Sequence, residues 1–296
     1  MVKVIAISDL HGYLPVIEEK FDLLLIGGDI CPAHSHYNYF QRMWLSTEFV
    51  KWVNELPFKD EWSKVVFIGG DICPAHDHYH YFQRMWLATD FVKWVSELPY
   101  KDAWSKVVFI GGNHDCYLDQ EPSPNKGYFS SIYTDILKPC GGRLIYLEDD
   151  EYTFEKMDDD GQFETLKIYG TPWCKIFGNW WFMRSDEFLE KAFDAIPEDL
   201  DILLTHDAPA MPPHGIISAG GWKGTDAGNK ALAEAIRKKK PKYALYGHIH
   251  SSSHELSDEG GTKVACLSLI DERYKPAYPP LVLEIEGHKS ATDGEE

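Results

Sequence analysis

The stretch Gly111-Gly112-Asn113-His114-Asp115 closes the apolar run Lys106 to Ile110. A run so short and so apolar reads as a strand buried on both faces. The paired glycines let the backbone turn tightly where it ends. Four further clusters repeat the arrangement: Asp9-Leu10-His11, Gly28-Asp29 (again as Gly70-Asp71), Thr205-His206-Asp207 and Gly247-His248-Ile249-His250. Several buried strands each deliver Asp, Asn or His at the carboxyl end, where open α/β sheets gather their sites. The pattern therefore predicts an α/β sandwich with one site along one edge.

Taken in order, residues 2–7 alternate into a first strand that ends at Ser8-Asp9, and Phe21 to Ile26 closes on Gly27-Gly28-Asp29. Residues 27–68 then recur as residues 69–110, with 35 of 42 positions identical. Each copy holds a Gly-Gly-Asp turn, a Cys-Pro-Ala-His loop, an aromatic helix and a Lys-Val-Val-Phe-Ile strand. Two copies are too few for a solenoid, so the repeat reads as a tandem duplication of one strand–helix unit in a fold that needs it once. One of the two copies is then expected to loop out, to add a strand at a sheet edge, or to exchange with a second chain as a domain-swapped homodimer.

Beyond Asp115, strands are predicted at Arg143 to Leu147, Tyr152 to Met157 and Phe163 to Tyr169, with Asp158 to Gly161 as a turn. Ser185 to Ala195 reads as a helix capped by Ser185. Ile202 to His206 and Tyr243 to Tyr246 are strands around a helix at Thr225 to Lys240, whose basic end suits the helix dipole. Val264 to Leu269 and Leu281 to Glu286 are placed together in a second sheet. Residues 1–286 form a single domain and 287–296 a disordered tail.

The 296 residues can bury a sizeable core. A formal net charge of −18 excludes a general binder of nucleic-acid polymers or anionic membranes, which would neutralise phosphates with Lys and Arg. No run of about 20 apolar residues predicts a membrane span. Met1 to Ile7 reaches Ser8-Asp9 too soon for a signal peptide. Six cysteines without a CxxC pair suggest neither a disulfide framework nor a zinc ribbon, and fit a cytoplasmic protein. An anionic substrate must then be attracted by metal ions rather than basic side chains.

In order and in type, these clusters resemble the five-motif signature of the calcineurin-like metallophosphoesterase superfamily, over roughly residues 4–285. Tyr169-Gly170-Thr171-Pro172-Trp173, Asp201 to Pro209 and Tyr278-Pro279-Pro280-Leu281 are similar to its small brain-type subgroup, known members of which hydrolyse phosphodiesters such as cyclic nucleotides. The resemblance implies a four-layer α/β/β/α sandwich of two mixed β-sheets flanked by helices. It also implies two divalent metal ions, Mn²⁺ first, with Fe, Zn, Ni or Mg open. One ion would be held by Asp9, His11, a bridging Asp and His250. The other would be held by the same bridging Asp, Asn113, His206 and His248. Attack of a metal-bound hydroxide on a small phosphodiester would follow, with His114 protonating the leaving alkoxide, oriented by Asp115, and with Asn113, His114 and Trp173 as substrate contacts. Phosphomonoester or phosphoprotein hydrolysis, or a non-catalytic binding role for a site distorted by the duplication, are the alternatives. Either Asp29 or Asp71 can bridge. The short path from His11 closes more readily on Asp29, which favours it; the 42 residues from Asp71 to Asn113, against 84 from Asp29, argue for Asp71.

Other residues carry plainer expectations. His34, His36, His76, His78 and His80 read as solvated loop residues, His214 and His254 as surface residues, and Cys116 as a structural thiol. Trp44, Trp52, Trp86 and Trp94 fall at core spacing. Trp173, Phe177, Trp180, Trp181 and Phe182 are dense enough to be either core or a substrate wall.

Overall fold

The computed structural model describes residues 1–9, 23–26, 55, 65–69, 88, 92, 106–113, 118–119, 137–141, 144–157, 162–273 and 275–289. Among these, strands β1 (Val2–Ile7), β2 (Leu23–Ile26), β3 (Val65–Gly69), β4 (Lys106–Ile110), β5 (Leu144–Leu147) and β14 (Leu281–Ile285) build one sheet, in the order β14-β1-β2-β3-β4-β5. The pairs from β1 to β5 are parallel and β14 runs antiparallel to β1. The second sheet has the order β12-β13-β11-β10-β7-β15, with β6 also paired to β7. Its members are β6 (Asp150–Met157), β7 (Phe163–Thr171), β10 (Ile202–Thr205), β11 (Tyr243–Tyr246), β12 (Ser257–Asp258), β13 (Lys263–Cys266) and β15 (His288–Lys289). A short parallel ribbon joins β8 (Cys174–Lys175) to β9 (Met183–Arg184).

Period-two burial holds the sheets together. Val2, Val4 and Ala6 of β1 share one apolar cluster with Leu166, Ile168, Ile202, Leu204 and Leu245 of the second sheet. Ile5 and Ile7 turn the other way, into a cluster with Leu203, Ala244 and the helical residues Leu189, Phe193, Leu232 and Ile236. Those helices are α1 (Asp186–Asp194) and α2 (Lys230–Lys239). The hydroxyl of Ser185 accepts the Phe188 N–H at 3.4 Å, so α1 begins where its cap was expected. Helix α2 begins five residues later than expected, because Asn229 is its cap, accepting the Leu232 N–H at 3.1 Å. Asp226 to Gly228 are instead drawn into turns against Ile216 and Gly215.

The structure corrects three expectations. The extra strand neither loops out nor sits at an edge: β3 lies between β2 and β4, aligned with Ile26 opposite Ile68 and Gly69 opposite Ile110. An all-apolar parallel strand satisfies the backbone groups on both of its sides only inside a sheet. Leu281–Ile285 joins the first sheet rather than the second, with Val2 opposite Ile285. In the expected tail, His288 and Lys289 pair with Thr165 and Glu164, while Gly287 N–H and the Met1 amino group are both bound to the buried Glu164 carboxylate. Among the described residues no helix is long and apolar enough to cross a membrane.

Candidate metal centre

Asp9 stands at the end of β1 in the left-handed region at φ 51°, fully buried. A non-glycine residue is held there only when its surroundings over-determine it. Ser8 supplies that constraint: its N–H donates to Leu267 O at 2.7 Å and its carbonyl accepts from Leu269 N–H at 2.9 Å, tying β1 to the second sheet. Facing it, His248 also has a positive φ of 68°. The preceding Gly247 lies so close to Ser8 and Asp9 that any Cβ there would collide with the Ser8 hydroxyl and stand 2.9 Å from Asp9 Oδ2.

Two sheets thus bring their strand ends together. His250 Nε2 lies 3.5 Å from Asp9 Oδ1. His206 Nε2 lies 2.9 Å from Asn113 Oδ1, across 93 residues of sequence. The His206 and His248 rings are 5.0 Å apart. Burial is the main reason the His206 pKa falls to about 3, helped by the nearby His248 and His250 and opposed by Asp9. Burial likewise lowers that of His248, against the pull of Asp207 and Asp9. For His250 burial works against the charged form, but the Asp9 carboxylate and Glu272 outweigh it and its pKa rises.

The loops that carry these residues are pinned from behind. Asp207 is buried, which raises its pKa, and it accepts the Lys175 N–H and Asn229 Nδ2 at 2.9 and 3.0 Å and the Ala208 N–H at 2.9 Å. Ser251 donates through its N–H and hydroxyl to Glu272 Oε1 at 3.1 and 2.7 Å, fixing the chain just past His250. The Phe182 ring fills the space over Gly111, 2.6 Å from where a Cβ would stand, and the Trp181 N–H donates to the Asn113 carbonyl at 3.0 Å. Asp119 is bound by Arg184, with Nη2 to Oδ1 at 2.6 Å, and accepts the Phe182 N–H at 2.8 Å. Asp119 lies six residues past Asn113, but nothing local in the sequence pairs it with Arg184, 65 positions on.

A carboxylate, an amide oxygen and three imidazoles form a donor set suited to borderline divalent cations. Burial favours the neutral form of His206 and His248, the state in which imidazole ligates, whereas Asp9 and Glu272 favour a proton on His250 that a metal ion would displace. Asp9, Asn113, His206, His248 and His250 are therefore the described residues that fit metal ions. Among the described residues, no three His, Cys, Asp or Glu side chains make a complete cluster by themselves. Of the expected site, His11, Asp29, Asp71, His114 and Asp115 lie outside the described residues, as do the repeat histidines and tryptophans and Cys116.

Trp173 is corrected from substrate contact to core. It is 5% exposed, packed on Phe182 and Phe188 under the Arg184 guanidinium, with Nε1 donating to Asp149 at 2.6 Å. His214 is not a surface residue either, and His254 is half-buried. His214 is buried between Tyr246 OH and Ser257 Oγ, at 3.0 and 2.6 Å. His254 stacks on Tyr278 at 3.4 Å and reaches the Ser252 and Ser268 carbonyls. Phe177 gains a role the sequence left open: its ring lies 5.2 Å from that of His248.

With this sandwich and this donor set, the chain belongs to the calcineurin-like phosphoesterase family, whose model matches residues 2–252. Members of the superfamily generally use two divalent metal ions. Among its relatives is human metallophosphoesterase domain-containing protein 1, 32% identical over 144 residues, which are 48% of this chain and 40% of that protein. A UPF0046 protein of Caenorhabditis elegans is 32% identical over 124 residues, 40% of this chain and 42% of its own length. The chain thus spans less than half the length of these curated relatives. Solved structures of similar fold include phosphopantetheinyl hydrolase of Mycobacterium tuberculosis, at 13% identity and a TM-score of 0.45 over 92% of this chain and 90% of that one. A protein of Thermus thermophilus matches at 12% identity and a TM-score of 0.44 over 95% of this chain and 97% of that one.

Proposed function

We propose that this protein is a metal-dependent hydrolase of small phosphodiesters, of the cyclic-nucleotide or aryl class, working with two divalent ions in the site built on Asp9, Asn113, His206, His248 and His250. The observation that carries the reading is the convergence of Asn113 on His206 at 2.9 Å and of His250 on Asp9 at 3.5 Å, from strand ends of opposite sheets. Divalent ions in such a site supply a nucleophile from water near neutral pH and neutralise phosphoryl charge. The chain's own residues do the rest. His206 and His248 stay neutral and present lone pairs, and the Asn113 amide oxygen adds a donor without adding charge. Asp207 and Ser251 hold their loops in place by the hydrogen bonds above. The family resemblance assigns to His114, with Asp115 as its partner, the protonation of the leaving alkoxide.

Mn²⁺ is the metal the family resemblance puts first, and the three imidazoles leave Fe, Zn and Ni open beside it. Substrates are small because the net charge of −18 repels polyanions. The buried thiols of Cys140 and Cys266, both raised by burial, suit a reducing cytoplasm. The repeated apolar strand remains a candidate for exchange between two chains.

The test is hydrolysis of bis(p-nitrophenyl) phosphate against p-nitrophenyl phosphate by Mn²⁺-reconstituted protein, with His206→Ala beside it. The proposal predicts diester turnover that His206→Ala lowers at least about 100-fold. Turnover of the monoester alone would move the assignment to the phosphomonoesterases.

A further inference from the structure

The loop between β8 and β9 is apolar at its tip and polar in its anchoring, the reverse of an ordinary surface turn. Its feet are buried: Cys174 N–H donates to Phe182 O at 2.8 Å and both residues are enclosed. Those feet grip both halves of the metal centre. Lys175 N–H holds Asp207, next to His206, while Trp181 N–H holds the Asn113 carbonyl and the Phe182 ring covers Gly111. The tip is therefore fixed relative to the ligands, yet Ile176, Phe177 and Trp180 are 62%, 54% and 38% exposed. Large apolar side chains clustered in water on a rigid loop mark a contact surface. This one borders the site, since Phe177 lies 5.2 Å from the His248 ring at a tilt of 41°.

We propose that Phe177 is a specificity-determining residue of this centre, the face on which a flat aromatic substituent of the phosphoester stacks while its phosphate reaches the metal ligands. The assignment rests on the phosphodiester reading and adds to it the part of the substrate that is not phosphate. The ions carry the attraction for the phosphoryl group, and the acidic surface offers none to a long polyanion. Selectivity among small esters then has to come from contact with the rest of the molecule. A half-exposed ring held at aromatic distance from a ligand imidazole offers that contact to any π-face, a nucleobase or an aryl group alike.

Two measurements on the full Mn²⁺-loaded chain test this and separate it from the reading beneath it. The first compares kcat/KM for phenyl p-nitrophenyl phosphate with that for methyl p-nitrophenyl phosphate, which share the p-nitrophenyl leaving group and differ in whether the ester group that stays on phosphorus is a flat ring. Wild type is expected to prefer the phenyl ester by about 5- to 150-fold, the equivalent of the ~1–3 kcal/mol of one stacked ring. In Phe177→Ala that preference falls towards one, mainly through KM, and Phe177→Trp restores it. The second measurement titrates phenylphosphonate and methylphosphonate calorimetrically and needs no turnover. The same preference and the same loss in Phe177→Ala support the proposal even if diesters are not hydrolysed. Equal binding of the two phosphonates by wild type, or a preference that survives Phe177→Ala, overturns it and leaves the phosphodiester reading standing. Failure of wild type to bind either phosphonate, together with no turnover of either diester, overturns both. Adenosine 5′-monophosphate, titrated alongside, identifies a nucleobase as the preferred ring if it binds more tightly than phenylphosphonate.

Discussion

Gly247→Ala tests the cross-sheet geometry of the centre with a single methyl group. The added Cβ meets the Ser8 hydroxyl head-on and stands 2.9 Å from Asp9 Oδ2 and 3.3 Å from Ser8 Cβ. The Ser8 hydroxyl can turn about one torsion, but Ser8 Cβ and the buried Asp9 carboxylate still crowd the added methyl. Ser8 is tied at its N–H and carbonyl to Leu267 and Leu269, and Asp9 is buried in a strained backbone conformation. One of the two strand ends must therefore move by several tenths of an ångström or more. Overpacking of this kind costs about 1–3 kcal/mol. For a chain of this size ~2 kcal/mol lowers Tm by about 3 °C. Because the displaced group is Asp9, the affinity for Mn²⁺ should fall about 10- to 100-fold as well, the range seen when groups that orient metal ligands are disturbed. Differential scanning calorimetry of the metal-free protein and a calorimetric Mn²⁺ titration read the two effects separately. Gly221→Ala is the control: its Cβ would meet nothing within 4 Å, so neither quantity should change. A Gly247→Ala protein that melts and binds Mn²⁺ like wild type would refute the close approach of Gly247 to Ser8 and Asp9.

Two further outcomes are expected. His214 is buried and its pKa lowered mainly for that reason, with Glu259 opposing. Because the unfolded histidine titrates near ~6.5, acidification below that value loads protons on the unfolded chain first. The stability due to neutral His214 is thus full above pH ~6.5 and is lost below it, by at most about 1.4 kcal/mol per pH unit. Urea midpoints of the metal-free protein between pH 7.5 and 5.5 should fall more steeply for wild type than for His214→Gln, and parallel slopes would contradict the assignment. Deletion of residues 27–68 joins Ile26 directly to Gly69, removes β3 and keeps one copy of the repeat. If β3 is an insertion between two strands that can pair without it, the shortened chain should melt cooperatively within about 5 °C of wild type and still bind metal. An aggregated product or a featureless melt would show that the widened sheet is required.

What the sequence made legible was local. Short apolar runs that end in a polar ligand, through glycine in three cases, located β1, β2, β4, β10 and β11, because burial on both faces admits few other conformations. Ser185 was legible as a cap for the same reason: its partner is three residues away. What escaped depended on distant partners. Nothing near Leu281 says that it pairs with Ala6 in the first sheet. His214 and His254 look polar and solvated until Tyr246, Ser257, Ser268 and Tyr278 come to enclose and bond them. In the aromatic patch, composition alone could not divide Trp173, closed off by Phe182, Phe188 and Arg184, from Phe177, left beside His248. That division depends on the ribbon of β8 and β9. The insertion of β3 was hidden differently: a second identical strand is compatible with several placements, and only pairing on both sides selects one.

The central claim is that strand ends of two sheets hold divalent ions together. It is tested most directly by counting metal in protein dialysed against Mn²⁺, for wild type, Asp9→Asn and His206→Gln, by inductively coupled plasma mass spectrometry. The account predicts about two ions per wild-type chain and a loss of about one in each variant, with folding retained by circular dichroism. A wild-type chain that retains no metal, or variants that retain as much as wild type, would contradict it.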